Sequence, residues 1–327
     1  MIFYIARRFV NYAILSLVAT CLAYVLASSV LDPAERFYGM NPRPPQESID
    51  AALAALGVSP DVPVIVRLWD WLVNLFTHFS LGLTVGGQPV TAEIAARSGA
   101  SLRLLLIGSL IGAVVGVLLG VWGAVRQYRT SDQVVTYSSY LVFAMPTFVI
   151  GVLLMIGATN LNNFLGTQVI RFTGEYTAGI SGNWWDLAFD RAVHLLLPTI
   201  ALVLIGGAVY SRYQRSVMLD VLGADYIRTA RSKGLPRNKA LFRHGVRIAL
   251  IPMTTFFAYS FGTLIAGSAM LEIVFSWRGM GQFTLDAVTK NDVNAAAGST
   301  LFIAVLVLLS STLSEVVYAA LDPRVRG

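Results

Sequence analysis

Six apolar runs dominate this chain, and each is a candidate crossing of a lipid bilayer: residues 9–31, 104–125, 134 to about 159, 195–210, 248–271 and 300–318. A spanning helix needs about 20 mostly apolar residues. Helices are the form to expect, because each satisfies its own backbone polar groups where no water is present. The composition agrees. Of 327 residues, 56% are hydrophobic and 13% charged, the latter about half the usual soluble share of roughly 25%. The expected fold class is an all-α polytopic membrane protein with six transmembrane helices. The first run follows a short basic leader with Arg7 and Arg8. A cleaved signal peptide competes for it, since Ala27-Ser28-Ser29 is weakly cleavage-like, but the run exceeds a usual signal-peptide core. A retained first span is the better reading.

Charge then sets the sidedness. Lys and Arg accumulate in loops that stay inside. The interruption at 212–247 carries Arg212, Arg215, Arg228, Arg231, Lys233, Arg237, Lys239, Arg243 and Arg247 against only Asp220 and Asp225. Arg126, Arg129 and the tail Arg324 and Arg326 fall on the same side. In 32–100 acids outnumber arginines, as expected outside. That segment carries Asn41-Pro42-Arg43-Pro44-Pro45, a short helix at 48–56 ended by Gly57, and an aromatic stretch at 66–79 that suits a helix lying on the outer interface. Both termini are expected in the cytoplasm. The organisation expected is a leader and first span at 1–31, an external loop at 32–100, and a core of five spans at 101–327 containing the basic loop.

Within the spans, Gly108, Gly112, Gly116 and Gly120 form a small-residue stripe that lets another helix approach closely. Met145-Pro146 predicts a kink in the third span. Thr255, Tyr259, Thr263 and Gly267 recur every four residues on the fifth span. They either line a wet translocation pathway or serve helix packing, with hydroxyls bonded back to their own carbonyls.

The basic loop has local order of its own. Asp225 is a fair N-cap for a short helix through Lys233, with Tyr226, Ile227 and Ala230 on one face and Arg228 and Arg231 on another. Gly234 suits the left-handed position after a helix. Pro236 opens a second helix carrying Lys239, Arg243 and Arg247, which runs into the membrane. On charge alone, an amphipathic loop resting on anionic headgroups explains it. A nucleic-acid patch does not, because topology accounts for the charge.

The order Asp225-Tyr226-x-Arg228-Thr229-Ala230-Arg231-x-Lys233-Gly234-Leu235, followed by Arg243-His244 and Ala249-Leu250-Ile251-Pro252, resembles the cytoplasmic signature loop of ATP-binding-cassette importer permeases. More narrowly it is similar to the dipeptide, oligopeptide and nickel permease family. The resemblance covers nearly the whole chain, with Glu272-x-x-Phe275-Ser276-Trp277-x-Gly279-x-Gly281 and Leu321-Asp322-Pro323-Arg324 as further matches. Arg278 departs from it, standing where the family commonly has proline. The stretch 170–185 holds no readable motif. What the resemblance implies is a coupling helix at 225–233, with Leu235 behind it, that docks on an ATPase subunit and drives alternating access. It also implies a second, paralogous permease chain, two ATPases that hold ATP and magnesium, and an external substrate-binding protein, all at a bacterial cytoplasmic membrane. Di- or oligopeptides are the implied substrates, with nickel as the alternative.

The chain itself carries no Gly-x-x-x-x-Gly-Lys-Ser/Thr loop for nucleotide and no assembled catalytic set. His78, His194 and His244 lack metal-ligand spacing, and the lone Cys21 permits no internal disulfide. A secondary transporter is disfavoured by the near absence of acids within the spans. Glu272 and Glu315 are expected at span ends, within reach of water.

Overall fold

The computed structural model describes the backbone of residues 2–321 and the side chains of 6–257, 260 and 268–316. The basic tail and the side chains of Tyr259, Thr263 and Gly267 lie outside the described residues. The described chain divides into two compact units, one of 2–101 with 278–309, the other of 102–277 with 310–321.

The first unit contains α1 (Ile2–Val30), α2 (Glu35–Tyr38), α3 (Gln46–Ala55) and α4 (Val64–His78), then the first turns of α5 (Val90–Val125). The expected helices near 48–56 and 66–79 are present as α3 and α4, each beginning about two residues early. They form because a proline at each N-cap, Pro45 and Pro63, fixes an extended entry. One buried cluster joins Tyr24 of α1, Ile49 and Leu53 of α3, and Leu68 and Trp71 of α4. Trp71 Nε1 donates to the Leu81 carbonyl at 3.1 Å. This segment is a folded layer rather than a loose loop.

Later residues of the same unit lock it. The Asn294 amide donates to the carbonyls of Leu56 (2.8 Å) and Leu83 (3.0 Å), and Gly82, at φ +85°, leaves room for it where a Cβ would lie 2.8 Å from its nitrogen. Asp292 accepts from the Val85 and Ala295 N–H groups at 2.7 and 2.9 Å. Burial raises its carboxyl above the ordinary range.

The second unit holds the rest of α5, α6 (Thr130–Ala144), α7 (Thr147–Leu165), α8 (Trp184–Gly223), α9 (Asp225–Ser232), α10 (Arg237–Ala240), a π-helical segment (Leu241–Val246) and α11 (Arg247–Val274). The expected glycine stripe lies against α8. A Cβ on Gly116 would meet the Tyr210 Cβ at 2.5 Å, and one on Gly120 the Ser211 carbonyl oxygen at 2.6 Å. The single kinked third span expected over 134–159 is instead two helices. Met145 is extended (φ −84°, ψ 134°) and Pro146 caps α7, because a residue before proline is pushed out of the helical region. α8 runs 40 residues, well past the expected 195–210 in both directions. Its start is fixed by a capping box between Asn183 and Asp186. Two further helices complete the chain: α12 (Met280–Thr289), which no sequence signal announced, and α13 (Val293–Leu321). Glu272 is fully buried rather than water-facing.

Among the described residues five helices are long and apolar enough to cross a membrane, contained in or overlapping α1, α5, α7, α8 and α13. The 28-residue α11, at the place of the fifth expected span, includes side chains outside the described set.

The 170–185 stretch is structured by buried acid. Asp190, on the first turns of α8, accepts from the backbone N–H and hydroxyl of Thr177, both at 2.7 Å, and from Arg171 at 2.5 Å. Asn162 holds both backbone groups of Ile170. Arg103 pairs with Glu175.

Candidate functional site: the basic helical break

α8 ends at Gly223, and Ala224 turns the chain extended (φ −72°, ψ 143°), so Ala224, not Asp225, is the N-cap of α9. Asp225 opens the helix, where a negative charge suits the N-terminal dipole; it lies 3.7 Å from Arg228, with both side chains largely exposed. The helix ends as the sequence predicts. Gly234 takes φ +89°. Its N–H bonds the Arg231 carbonyl at 3.0 Å, and the Leu235 N–H bonds that of Ala230 at 3.2 Å. These two bonds are the Schellman pattern, which satisfies carbonyls that a helix end leaves open. No atom lies within 4 Å of where a Gly234 Cβ would be, so backbone conformation alone demands glycine here.

One residue fastens α9 to the rest of the unit. Ile227 is buried with Val121 and Ala124 of α5, Met218 and Val221 of α8, Leu241 of the π segment and Ala249 of α11. Burying such a side chain is worth about 1.5–3 kcal/mol. Gly245 makes the space. A Cβ there would sit 3.0 Å from Val221, 3.1 Å from Leu241 and 3.5 Å from Ile227. Ala230 is half-buried on the same side, whereas Tyr226, expected on that face, is exposed. The Thr229 hydroxyl is bonded back to the Asp225 carbonyl. Outward, α9 and its cap show Arg228, Arg231 and Lys233, all exposed.

Not every basic residue of 212–247 belongs to this surface. Arg212 and Arg215 lie within α8. The Arg212 guanidinium sits 4.4 Å from the Phe143 ring centroid, and Arg215 grips Asp132 at the start of α6. Its Nε and Nη2 meet the two carboxylate oxygens at 2.7 and 2.8 Å, and the Tyr128 N–H adds a third bond at 3.0 Å. The bonds from Arg215 hold the Asp132 carboxyl below its ordinary range, against the opposing effect of burial. Gly123 of α5 leaves this pair its space, since a Cβ there would lie 3.0 Å from Asp132 Oδ1. Sequence reading missed Asp132 because its partner lies 83 residues away.

Pro236 caps α10, as expected of a proline at a helix start. The stripe expected from Lys239, Arg243 and Arg247 is out of register, because 241–246 are π-helical and a π turn is wider than an α turn. Of the proposed pathway stripe, Thr255 is exposed; Tyr259, Thr263 and Gly267 are the positions already named as undescribed. Among the described residues no three of His, Cys, Asp and Glu are grouped to hold a metal ion.

Comparison with known proteins decides the family. Residues 116–327 match the family described as "Binding-protein-dependent transport system inner membrane component". The chain belongs to this family. It is an integral inner-membrane permease of an ATP-binding-cassette importer. Similar curated proteins include the oligopeptide transport system permease protein OppB of Mycobacterium tuberculosis, 47% identical over 99% of this chain and 98% of that one. AppB of Bacillus subtilis, also an oligopeptide transport system permease protein, is 33% identical over 98% of both chains. The dipeptide transport system permease protein DppB of Escherichia coli is 31% identical over 84% of both. The resemblance read from the loop and from the Glu272–Gly281 and 321–324 motifs is thus met at the level of the family. As a membrane component of a transport system, this permease works within a complex rather than alone.

Proposed function

We propose that this permease is a peptide-transporting subunit, and that α9 is the lever through which ATP hydrolysis on a separate subunit moves it. The observation that carries the reading is the two-sided character of α9. Its inner side is seated by Ile227 on the ends of α5, α8 and α11, while its outer side offers Arg228, Arg231 and Lys233. A short helix joined rigidly to long helices transmits a rigid-body shift with little loss, and this is what a two-state gate requires. The ATPase cleft that receives α9 would hold Asp225, Tyr226, Arg228, Thr229, Ala230, Arg231, Lys233, Gly234 and Leu235 at or near contact. Two ATPases carrying ATP and magnesium, a second permease chain and an external binding protein complete the complex. The basic loop and both termini face the cytoplasm, in keeping with the Lys and Arg bias. The pathway is lined in part by Thr255, Tyr259, Thr263 and Gly267. The peptide substrate rests on the printed names of the relatives at 47%, 33% and 31% identity.

The test uses the full complex in proteoliposomes with a labelled tripeptide. Arg231→Glu and Gly234→Pro are expected to insert and assemble normally, to retain ATP hydrolysis, and to lose most peptide uptake. Normal uptake in both variants would remove α9 from the coupling path. Uptake of nickel but no peptide by the unaltered complex would instead overturn the substrate.

A further inference from the structure

α4 divides into three sectors when its residues are placed 100° apart around the helix axis. Leu68, Trp71 and Leu75 share one sector, packed in the core of their unit. Arg67, Asp70, Asn74 and Thr77 share another. Between them runs a third, Ile65, Trp69, Val73 and Phe76, which is apolar and exposed; Ile65, Trp69 and Phe76 are 69%, 68% and 65% exposed and Val73 40%. Each such side chain left in water forgoes about 1.5–3 kcal/mol of burial. An apolar stripe of this kind on a soluble surface marks an interaction site.

The depth of α4 says what covers it. Trp71 packs against Tyr24 of α1, with ring centroids 5.4 Å apart. Tyr24 stands six residues before the end of α1 at Val30, about 9 Å along the axis at 1.5 Å per residue. α1 displays bare apolar side chains below and above that level, Leu22 and Leu26, and again at Val30. The lipid-facing surface of α1 therefore continues past the point where α4 is attached. A helix fixed there lies inside the apolar layer or at its edge. Its polar sector faces the headgroups, and its tryptophan sits where indole rings are favoured.

We propose that α4 is embedded in the leaflet that α1 enters at its C-terminal end, with Ile65, Trp69, Val73 and Phe76 covered by lipid acyl chains and Asp70, Asn74 and Thr77 at the headgroup level. α4 is then a further lipid contact for its unit, beyond the helices long enough to cross the membrane. The occupant is the bilayer, not a second protein chain.

Spin labels test this. In a Cys21→Ser background, single cysteines replace Ile65, Trp69, Asp70, Val73, Asn74, Phe76 and Thr77 in turn, all on the unpacked side of α4. The protein is reconstituted in phosphatidylcholine–phosphatidylglycerol vesicles. Collision rates are measured with oxygen, which concentrates in lipid, and with a water-soluble nickel chelate. The oxygen-to-nickel ratio is expected above one at 65, 69, 73 and 76 and below one at 70, 74 and 77. A ratio below one at all seven positions puts the helix in water and overturns the proposal. Labels at 65, 69 and 76 shielded from both reagents mean a protein partner and overturn it equally. Brominated lipids supply a label-free check: they should quench the unaltered protein more than its Trp69→Phe variant, and equal quenching would count against lipid contact. Both readouts report depth rather than sidedness, so they succeed or fail independently of the proposed orientation.

Discussion

Removing Arg215 should damage this permease more than removing its partner Asp132, although both substitutions delete the same ion pair. The Asp132 side chain is 3% exposed and that of Arg215 25%. Breaking a buried pair costs about 3–5 kcal/mol, mostly as the penalty of the charge left behind. In Asp132→Ala the abandoned guanidinium is already partly solvated, which places the loss near 3 kcal/mol, discounted for that exposure. In Arg215→Ala the abandoned carboxylate is buried, with the Tyr128 N–H and a side-chain hydrogen bond from Thr136 left to hold it, which places the loss at about 5 kcal/mol.

pH separates this account from a simple packing defect. Arg215 lowers the Asp132 carboxyl below its ordinary 3.8, so the pair contributes fully above that value and its contribution fades only as pH falls through the lowered one. Without Arg215, burial is the largest of the remaining causes and raises the carboxyl, against the Tyr128 and Thr136 hydrogen bonds, so the folded state takes up a proton more readily than with the pair intact. Arg215→Ala should therefore stand closer in stability to the unaltered protein at about pH 4, near the ordinary carboxyl value, than at about pH 7, whereas Asp132→Ala should not. Thermal unfolding in detergent, followed by tryptophan fluorescence at both pH values, measures each variant, and the double variant closes a cycle. Equal losses for the two single variants, additive in the double and independent of pH, would refute the reasoning.

Gly120→Ala should cost about 1–3 kcal/mol by overpacking, since its Cβ would meet the Ser211 carbonyl at 2.6 Å. Gly112→Ala should be tolerated, since its nearest neighbour would stand at 3.4 Å; heating before size-exclusion chromatography compares them. Ile227→Ala should cost about 2–5 kcal/mol of local packing and loosen α9, seen as faster proteolysis within 225–235 while the long helices persist. Gln214 is fully buried, and neither end of its amide has a partner among the described residues. Gln214→Leu removes that unmet demand and should raise the unfolding temperature or leave it unchanged, because an unsatisfied buried polar group costs about 1–3 kcal/mol; a clear fall would show that the amide is bonded after all.

What the sequence made legible follows from the range of each signal. The apolar runs, the Gly234 cap, the Pro236 start and the glycine stripe are local patterns. Each is set by residues within a few positions of one another; the cap, the helix start and the stripe are present in the structure, and among the described residues five helices are long and apolar enough to span. The loop of 32–100 was legible as two helices but not as a packed layer. Its fastening depends on Asn294 and Asp292, more than 200 residues away. The Met145-Pro146 pair announced a disturbance without fixing its size, because a proline kink and a full break share the same dipeptide; the extended backbone of Met145 decides between them. The π segment was illegible for a different reason. Nothing in Leu241–Val246 forbids ordinary α spacing, and the register is set where Leu241 and Gly245 meet Val221 and Ile227.

The same distinction bears on how a lever can work here. The residues that would touch a partner, Arg228, Arg231 and Lys233, are exposed and contribute little to the fold, so they were readable as a charge pattern. The residues that would make the touch matter are Ile227, Gly245, Asp132 and Arg215; the sequence placed Ile227 on a helix face and Arg215 in the basic loop, but their buried partners were not readable from it. Ile227 couples α9 to the ends of three long helices, and the Asp132–Arg215 pair couples the last of α8 to α6. A push on α9 that met only a flexible tether would be dissipated within the loop. Through Ile227 and Arg215 it would be shared by α5, α6, α8 and α11 at once, so in the proposed coupling the transmission would lie in the buried contacts rather than in the signature that first drew attention to them.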